Sequence, residues 1–260
     1  MNIIVLAKQV PNSTQIKIDP VTGAMDRTGV PAIMNPDDKA ALEYALRIKD
    51  QTGAKVSVLT MGLPAAKKIL FEAIAMGADE GILLTDRACA GADTLATSKA
   101  LAAAVKAFPC DLIIGGRQAI DGDTAQVGPE LAEHLGIPQI TYVQGLEFKG
   151  DHVIAERRFE DRVQKIEAKL PVLLTCLGDS IKPRYMDYDR LLNVCSDEVV
   201  KVIGVKDIDL DPKETGFAGS PTKVASSFGK VNNKVNEVVE GSPEEVVEAI
   251  IAHLKDKKLL

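Results

Sequence analysis

Residues 111–136 read DLIIGGRQAIDGDTAQVGPELAEHLG. An apolar run, DLIIGG, gives way to a Gly-rich acidic turn and then to a helical pattern that stops on a glycine. Strand, glycine turn, helix is the repeating unit of a doubly wound α/β sheet. Such a unit needs companions on either side, and the chain supplies them.

Upstream, NIIVLA (2–7), KVSVLTMG (55–62) and GILLT (81–85) are short apolar or β-branched runs that predict buried strands. Between them lie helical patterns. In NPDDKAALEYALRIKDQTG (35–53), Asn35 or Asp37 can cap, Pro36 fits the first turn, and Gly53 stops the helix. AAKKILFEAIAMG (65–77) closes on Gly77, and GADTLATSKALAAAVKAF (91–108) starts on Asp93 or Thr94. With 122–136 as the helix after DLIIGG, four βα units follow one another, and a mostly parallel sheet results. After Pro138 the period becomes two: 140–148, 152–160 and 162–170 predict an antiparallel extension, and 171–178 a further buried strand. PRYMDYDRLLNVC (183–195) predicts a short helix after an extended lead-in.

The expected organisation is an α/β domain over 1–195 and a C-terminal arm over 196–260. Residues 211–240 lack the apolar content to pack alone. The arm ends in a helix that Ser242 caps and Pro243 opens.

Composition narrows the function. The chain has 260 residues, 46% hydrophobic and 26% charged, which suits one large core and a soluble protein. A net charge of −6 with no basic block, 4% aromatic residues and no Trp argue against nucleic acid. No apolar stretch is long enough to insert in a membrane, and the N-terminus lacks the features of a signal peptide. Cys89, Cys110, Cys176 and Cys195 are far apart and read as reduced, buried thiols of a cytoplasmic protein. His134, His152 and His253 have no metal-ligand spacing.

In a doubly wound sheet, ligands bind beyond the carboxyl ends of the strands. Gly115 and Gly116 would let backbone approach a ligand, and Gly122, Asp123 and Thr124 would open a helix whose free amides attract an anion. The carboxylates would repel phosphate. Asp123 then caps the helix, Asp121 accepts from a ribose hydroxyl or backbone, and Arg117 offsets phosphate charge. The plainer alternative is that DGD makes only a turn and a cap. Neither GxGxxG nor GxxxxGK[ST] is present, which also counts against an ATP-using enzyme. The ends Ala7-Lys8, Asn35 to Asp38, and Thr60-Met61-Gly62 could face the same crevice, as could Asp93, Thr94 and Thr97. No nucleophile–base pair or paired catalytic carboxylates accompany them, so any redox chemistry belongs to a cofactor.

Several stretches together resemble the β subunit of electron transfer flavoproteins: VLAKQVP (5–11), MNPDDKAALEYAL (34–46), AMGADEGILL (75–84), 111–141 and LPVLLTCLGDSIKPRYMDYDRLL (170–192). The resemblance implies an adenine-nucleotide-binding α/β fold and an obligate heterodimer with an FAD-carrying α subunit, on which the arm would pack. It implies a nucleotide site at Ala7, Asn35, Pro36, Asp37, Asp38 and Met61. The site continues through Ala119, Ile120, Asp121, Gly122, Asp123, Thr124, Ala125, Gln126, Val127, Gly128 and Pro129. That site would take FAD, with AMP as the alternative. ADTLATS (92–98) looks like the NADH-linked, electron-bifurcating branch. By resemblance, NADH would reduce the flavin, with one electron passing to the α-subunit FAD and an acyl-CoA dehydrogenase and one to ferredoxin or flavodoxin. Pro183, Arg184, Tyr185, Tyr188 and Leu191 fall in a segment similar to the family's dehydrogenase-docking loop.

Overall fold

The computed structural model describes residues 1–12, 17–18, 25–26, 31–194, 199–225 and 238–260. Cys195 and the arm residues 226–237 lie outside them. The chain divides into two units, Met1–Ala225 and Ser226–Leu260.

The first unit is built on a nine-stranded sheet. In chain order its strands are β1 (Asn2–Leu6), β6 (Lys55–Met61), β7 (Glu80–Leu84), β8 (Leu112–Gly116), β9 (Gln139–Lys149), β10 (His152–Phe159), β11 (Arg162–Lys169), β12 (Val172–Cys176) and β13 (Val200–Ile203). The intervening β2 (Gln9–Pro11) pairs antiparallel with β5 (Ala32–Met34), and β3 (Lys17–Ile18) with β4 (Met25–Asp26). The spatial order is β11-β10-β9-β12-β8-β1-β6-β7-β13. From β9 to β13 all neighbours are parallel, whereas β9, β10 and β11 form the antiparallel extension expected from their period-two pattern.

Helices cover both faces, which is why the parallel strands are apolar throughout. Ile3, Val5, Val56 and Val58 pack under α1 (Pro36–Thr52) and α2 (Lys67–Met76). Ile4, Leu59, Ile82 and Ile113 pack under α3 (Thr94–Lys106) and α4 (Val127–Leu135). Gly53 ends α1 in the left-handed conformation (φ 70°), and its amide donates to the Lys49 carbonyl.

Three sequence expectations change. Asn35 holds the N-cap position of α1, but neither it nor Asp37 closes the end with a side-chain cap. VKVI (Val200–Ile203) is a parallel edge strand, β13, paired with β7, and the compact unit runs past residue 195 to Ala225. The helix expected from Gly122 begins at Val127. Past β13, α6 (Gly216–Gly219) is tied to the start of α3: the Phe217 amide donates to the Ala90 carbonyl, and the Asp93 amide to Ser220 Oγ. In the Tyr188–Asn193 helix (α5) the expected short helix is present, packed on α2. The second unit holds α7 (Pro243–Asp256), whose Ser242 and Glu245 form a reciprocal capping box.

Candidate functional site

Strand order reverses between β1 and β8: chain leaving β1 proceeds through α1 to β6 on one side, whereas β8 lies on the other. In open α/β sheets such a reversal at the carboxyl edge is where a ligand crevice forms. Most of the sequence-derived site residues fall on the loops after these two strands and on the start of α1.

The first turn of α1 is locked into the strand ends by its own carboxylates. Asp38 Oδ2 accepts from the Lys8 amide after β1 (2.8 Å), and Oδ1 from the Gly116 amide at the end of β8 (3.0 Å). Asp37 Oδ1 accepts from the Gly178 amide after β12 (3.1 Å). Carboxylates at a helix N-terminus complement its dipole. Here they occupy the place where a Rossmann helix would meet phosphate. Gly116 lacks a side chain for the same reason: a Cβ there would run into Asp38 Oδ1 and Asp37 Cβ. Its role is close packing and not the ligand approach expected of it. Burial pushes the Asp38 carboxyl up to about 7, against the amides and Asn35 that favour its charged form. Asp37 is also raised by burial, with Arg117 opposing. Arg117 Nε stands 3.5 Å from Asp37 Oδ2, near enough to pair charge but not hydrogen-bonded, and both buried atoms keep unmet capacity among the described residues. Arg117 is thus drawn towards a carboxylate of its own chain.

The β8 loop is held from below. Asn35 donates from Nδ2 to the Gln118 carbonyl (2.8 Å) and accepts at Oδ1 from the Ile120 amide (3.1 Å). Lys8 Nζ meets Asp121 Oδ1 at 2.7 Å, and Gln118 Nε2 donates to Asp123 Oδ1 at 2.7 Å. The amides of Gly122 and Asp123 both donate to the Ala119 carbonyl. Both aspartates therefore shape the turn, and Asp123 does not cap a helix.

Beyond that turn the backbone is unusual. Asp123 and Ala125 both adopt left-handed conformations (φ 52° and 53°). For a residue with a Cβ this costs about 1–2 kcal/mol. Alternating hand turns successive amides towards one side, the geometry of an anion-binding nest. Gln126 gives α4 no side-chain cap. Among the described residues, the amides of Thr124, Ala125, Gln126, Val127 and Gly128 find no acceptor. Gly128 cannot carry a side chain because a Cβ would stand 2.6 Å from Thr175 Cγ2, so α4 is seated directly on β12. A Cβ on Gly122 would meet nothing within 4 Å. This donor set fits the pyrophosphate of an adenine cofactor: amides in a row, strained backbone, and no carboxylate left unengaged beside it.

Of the remaining candidates, Ala7 is buried, Met61 half-buried, and Pro36 exposed at the first position of α1. Asp93 caps α3 through the Ala96 amide and also accepts from the Thr222 amide and hydroxyl, so its carboxylate is engaged within the chain. Thr94 and Ser98 donate to Glu130 (both 3.1 Å), which pins the first turn of α4 to α3. Thr97 is half-buried. Sequence reasoning missed Gln118 and Glu130. Their polar types carry no positional signal, and only the fold brings them to partners. Two cavities of about 510 and 500 Å3 lie by residues 205–214 and are lined by none of the crevice loops.

On the segment expected to dock a dehydrogenase, Tyr185 is 86% and Tyr188 72% exposed, and Leu191 and Leu192 are exposed as well. Pro183 and Arg184 are half-buried. Cys176 is buried as expected, whereas Cys89 and Cys110 are half-buried. No helix among the described residues is long and apolar enough to cross a membrane.

The family model for the electron transfer flavoprotein domain matches residues 22–202. The chain is 50% identical to the electron transfer flavoprotein subunit beta of Clostridium acetobutylicum over 257 residues, 99% of each chain. It is 45% identical to the caffeyl-CoA reductase-Etf complex subunit CarD of Acetobacterium woodii, over the whole of both chains. It is 42% identical to the acryloyl-CoA reductase electron transfer subunit gamma of Anaerotignum propionicum, again over the whole of both. The family model over most of the chain and full-length relatives at 42–50% identity lead to one conclusion: the chain belongs to the electron transfer flavoprotein family, as a β-subunit type.

Proposed function

We propose that this chain is the β subunit of a heterodimeric, cytoplasmic electron carrier, and that its β1/β8 crevice holds FAD, with the pyrophosphate on the Thr124–Gly128 amides. NADH is the proposed reductant. The proposed acceptors are the α-subunit FAD with an acyl-CoA dehydrogenase, and a ferredoxin or flavodoxin. The bound flavin supplies the redox chemistry. The chain's residues bind and orient it: the amide row carries phosphate charge, Asn35 and Asp38 hold the two loops in register, and Lys8 with Asp121 closes the turn. FAD is favoured over structural AMP by the ADTLATS segment and by relatives named for acyl-CoA reductase complexes.

The single observation that carries this reading is the row of five amides without acceptors beside two left-handed residues. Its test is the cofactor content of the purified heterodimer. Two FAD per heterodimer are expected. One FAD with one AMP moves the chain to the non-bifurcating alternative. Gly122→Val should fold normally, because its Cβ meets open space and its φ is not left-handed. Its β-site nucleotide should be retained about tenfold less or worse, a loss of about 1.4 kcal/mol, while the α-subunit flavin stays. Undiminished nucleotide in this variant would remove the assignment.

A further inference from the structure

The segment between β12 and α5 starts on the core, where the Leu177 amide donates to the Val143 carbonyl and the Gly178 amide to Asp37, and its second half is held at two further points. At the first, Arg184 turns inward onto α1. Its amide and Nε both donate to Glu43 Oε2 (3.0 and 2.9 Å), and Nη2 donates to Asp50 Oδ2 (2.7 Å). Glu43 is 3% exposed, and its other oxygen takes Arg47 Nε at 3.0 Å. At the second point, the Asp187 amide donates to the Ala75 carbonyl at the end of α2, and Asp187 Oδ1 caps α5 through the Arg190 amide (2.9 Å). Val194, just beyond α5, is 4% exposed and belongs to the core. Between and beside these anchors, Tyr185, Met186, Tyr188 and Leu192 are exposed.

A forked guanidinium shared by two carboxylates on one helix fixes direction as well as distance. The Glu43–Asp50 spacing runs along nearly two turns of α1, so Arg184 cannot shift along the helix without losing one of them. Burial alone would raise the Glu43 carboxyl, but its bonds to Arg184 and Arg47 outweigh that and hold it below its usual range. The pair therefore stays charged at neutral pH. Sequence reasoning placed Arg184 on the docking face with the two tyrosines. Its guanidinium is engaged on the other side.

We propose that Arg184 and Glu43 are positioning residues: a clasp on α1, buried only at its Glu43 end, that sets the posture in which Tyr185 and Tyr188 meet the flavoprotein dehydrogenase. The proposal rests on the docking role given to this segment above, and adds that the affinity of that surface is set from beneath it. A flexible loop would have to order its aromatic side chains on binding and would pay that cost in affinity, whereas the clasped loop presents them already ordered.

The test uses the purified heterodimer with NADH as electron donor and an acyl-CoA dehydrogenase as acceptor, and reads KM for the dehydrogenase apart from kcat. Arg184→Ala should raise KM about tenfold with kcat and flavin content unchanged, an effect of the size expected for losing one interface anchor. Asp50→Asn, at an exposed position, should raise KM by less and guards against a folding defect in the first variant. Arg184→Lys keeps the charge without the fork and should recover only part of the loss. Tyr188→Ala should raise KM by itself, and combined with Arg184→Ala the effects should be less than additive. Amide exchange at Asp187 and Leu191 should quicken in Arg184→Ala while α1 stays protected. If Tyr188→Ala leaves KM unchanged, the docking role fails and the clasp with it. If Tyr188→Ala raises KM while Arg184→Ala and Asp50→Asn do not, the docking role stands and the clasp alone is overturned.

Discussion

Asp38 shows how much one residue can settle. Its two oxygens join the ends of β1 and β8, so one buried carboxylate ties the two strand ends directly. Burial lifts it to about 7 from an ordinary 3.8. The folded chain keeps this proton up to about pH 7, whereas the unfolded chain releases it near 3.8. Between those values the folded state binds more protons, so this residue makes stability fall as pH rises towards 7, with no further change above. Asp37, Lys8, Asn35 and Arg117 are the polar groups around it. Asp38→Asn should remove that slope. Between about pH 5 and about pH 8 the change in unfolding free energy should shrink by on the order of 2–3 kcal/mol relative to the parent chain. Urea unfolding at the two pH values measures it, and equal slopes in the two proteins would refute it. Asp and Thr in DGDT read as helix-capping types, and that reading misplaced the start of α4. Nothing in an alanine announces a left-handed φ, so Ala125 gave no warning of the nest.

At the scale of elements, most strands and helices follow their local patterns. Apolar runs became the buried parallel strands, period two became the meander, and Gly53 and Gly77 ended their helices. Ser242 as the cap and Pro243 at the first position likewise announce α7. That helix buries none of its residues, and Val247, Ile250 and Ile251 are exposed at helical spacing. An apolar stripe on a well-capped helix is the form of an interface. Ile250→Asp should leave the helical content of the chain unchanged and weaken association with the α subunit by about tenfold or more, because a charge would be desolvated in the contact. Sedimentation of the mixed subunits checks this; unaltered association would assign the stripe to another purpose. Short elements were less legible. β13 has only four residues, and its apolar pattern gained meaning only when β7 offered it an edge.

For the whole molecule, the division at Ala225 predicts where the chain can be cut. A chain ending at residue 225 should melt cooperatively, with its sheet intact, yet fail to co-elute with the α subunit. A chain ending at residue 195 loses β13 and the ties from Ser220 and Thr222 to Asp93, and should melt at least about 5 °C lower. Circular dichroism and size-exclusion chromatography distinguish the two, and a 225-residue chain that still forms the heterodimer would overturn the role given to the second unit. By itself the sequence determined the α/β class, the alternation of strands and helices, the antiparallel extension and the capped terminal helix. These follow from spacing along a few neighbouring residues, and local sterics and burial act at that range. It also marked 119–129 as the loop of interest. Only the tertiary structure decided which groups in that loop remain available. Asp38 lies 78 positions from Gly116, and Lys8 lies 113 from Asp121. Whether a carboxylate faces a ligand or an amide of its own chain depends on which strand ends the sheet brings together. Strand order is a property of the packed whole, and no local pattern encodes it.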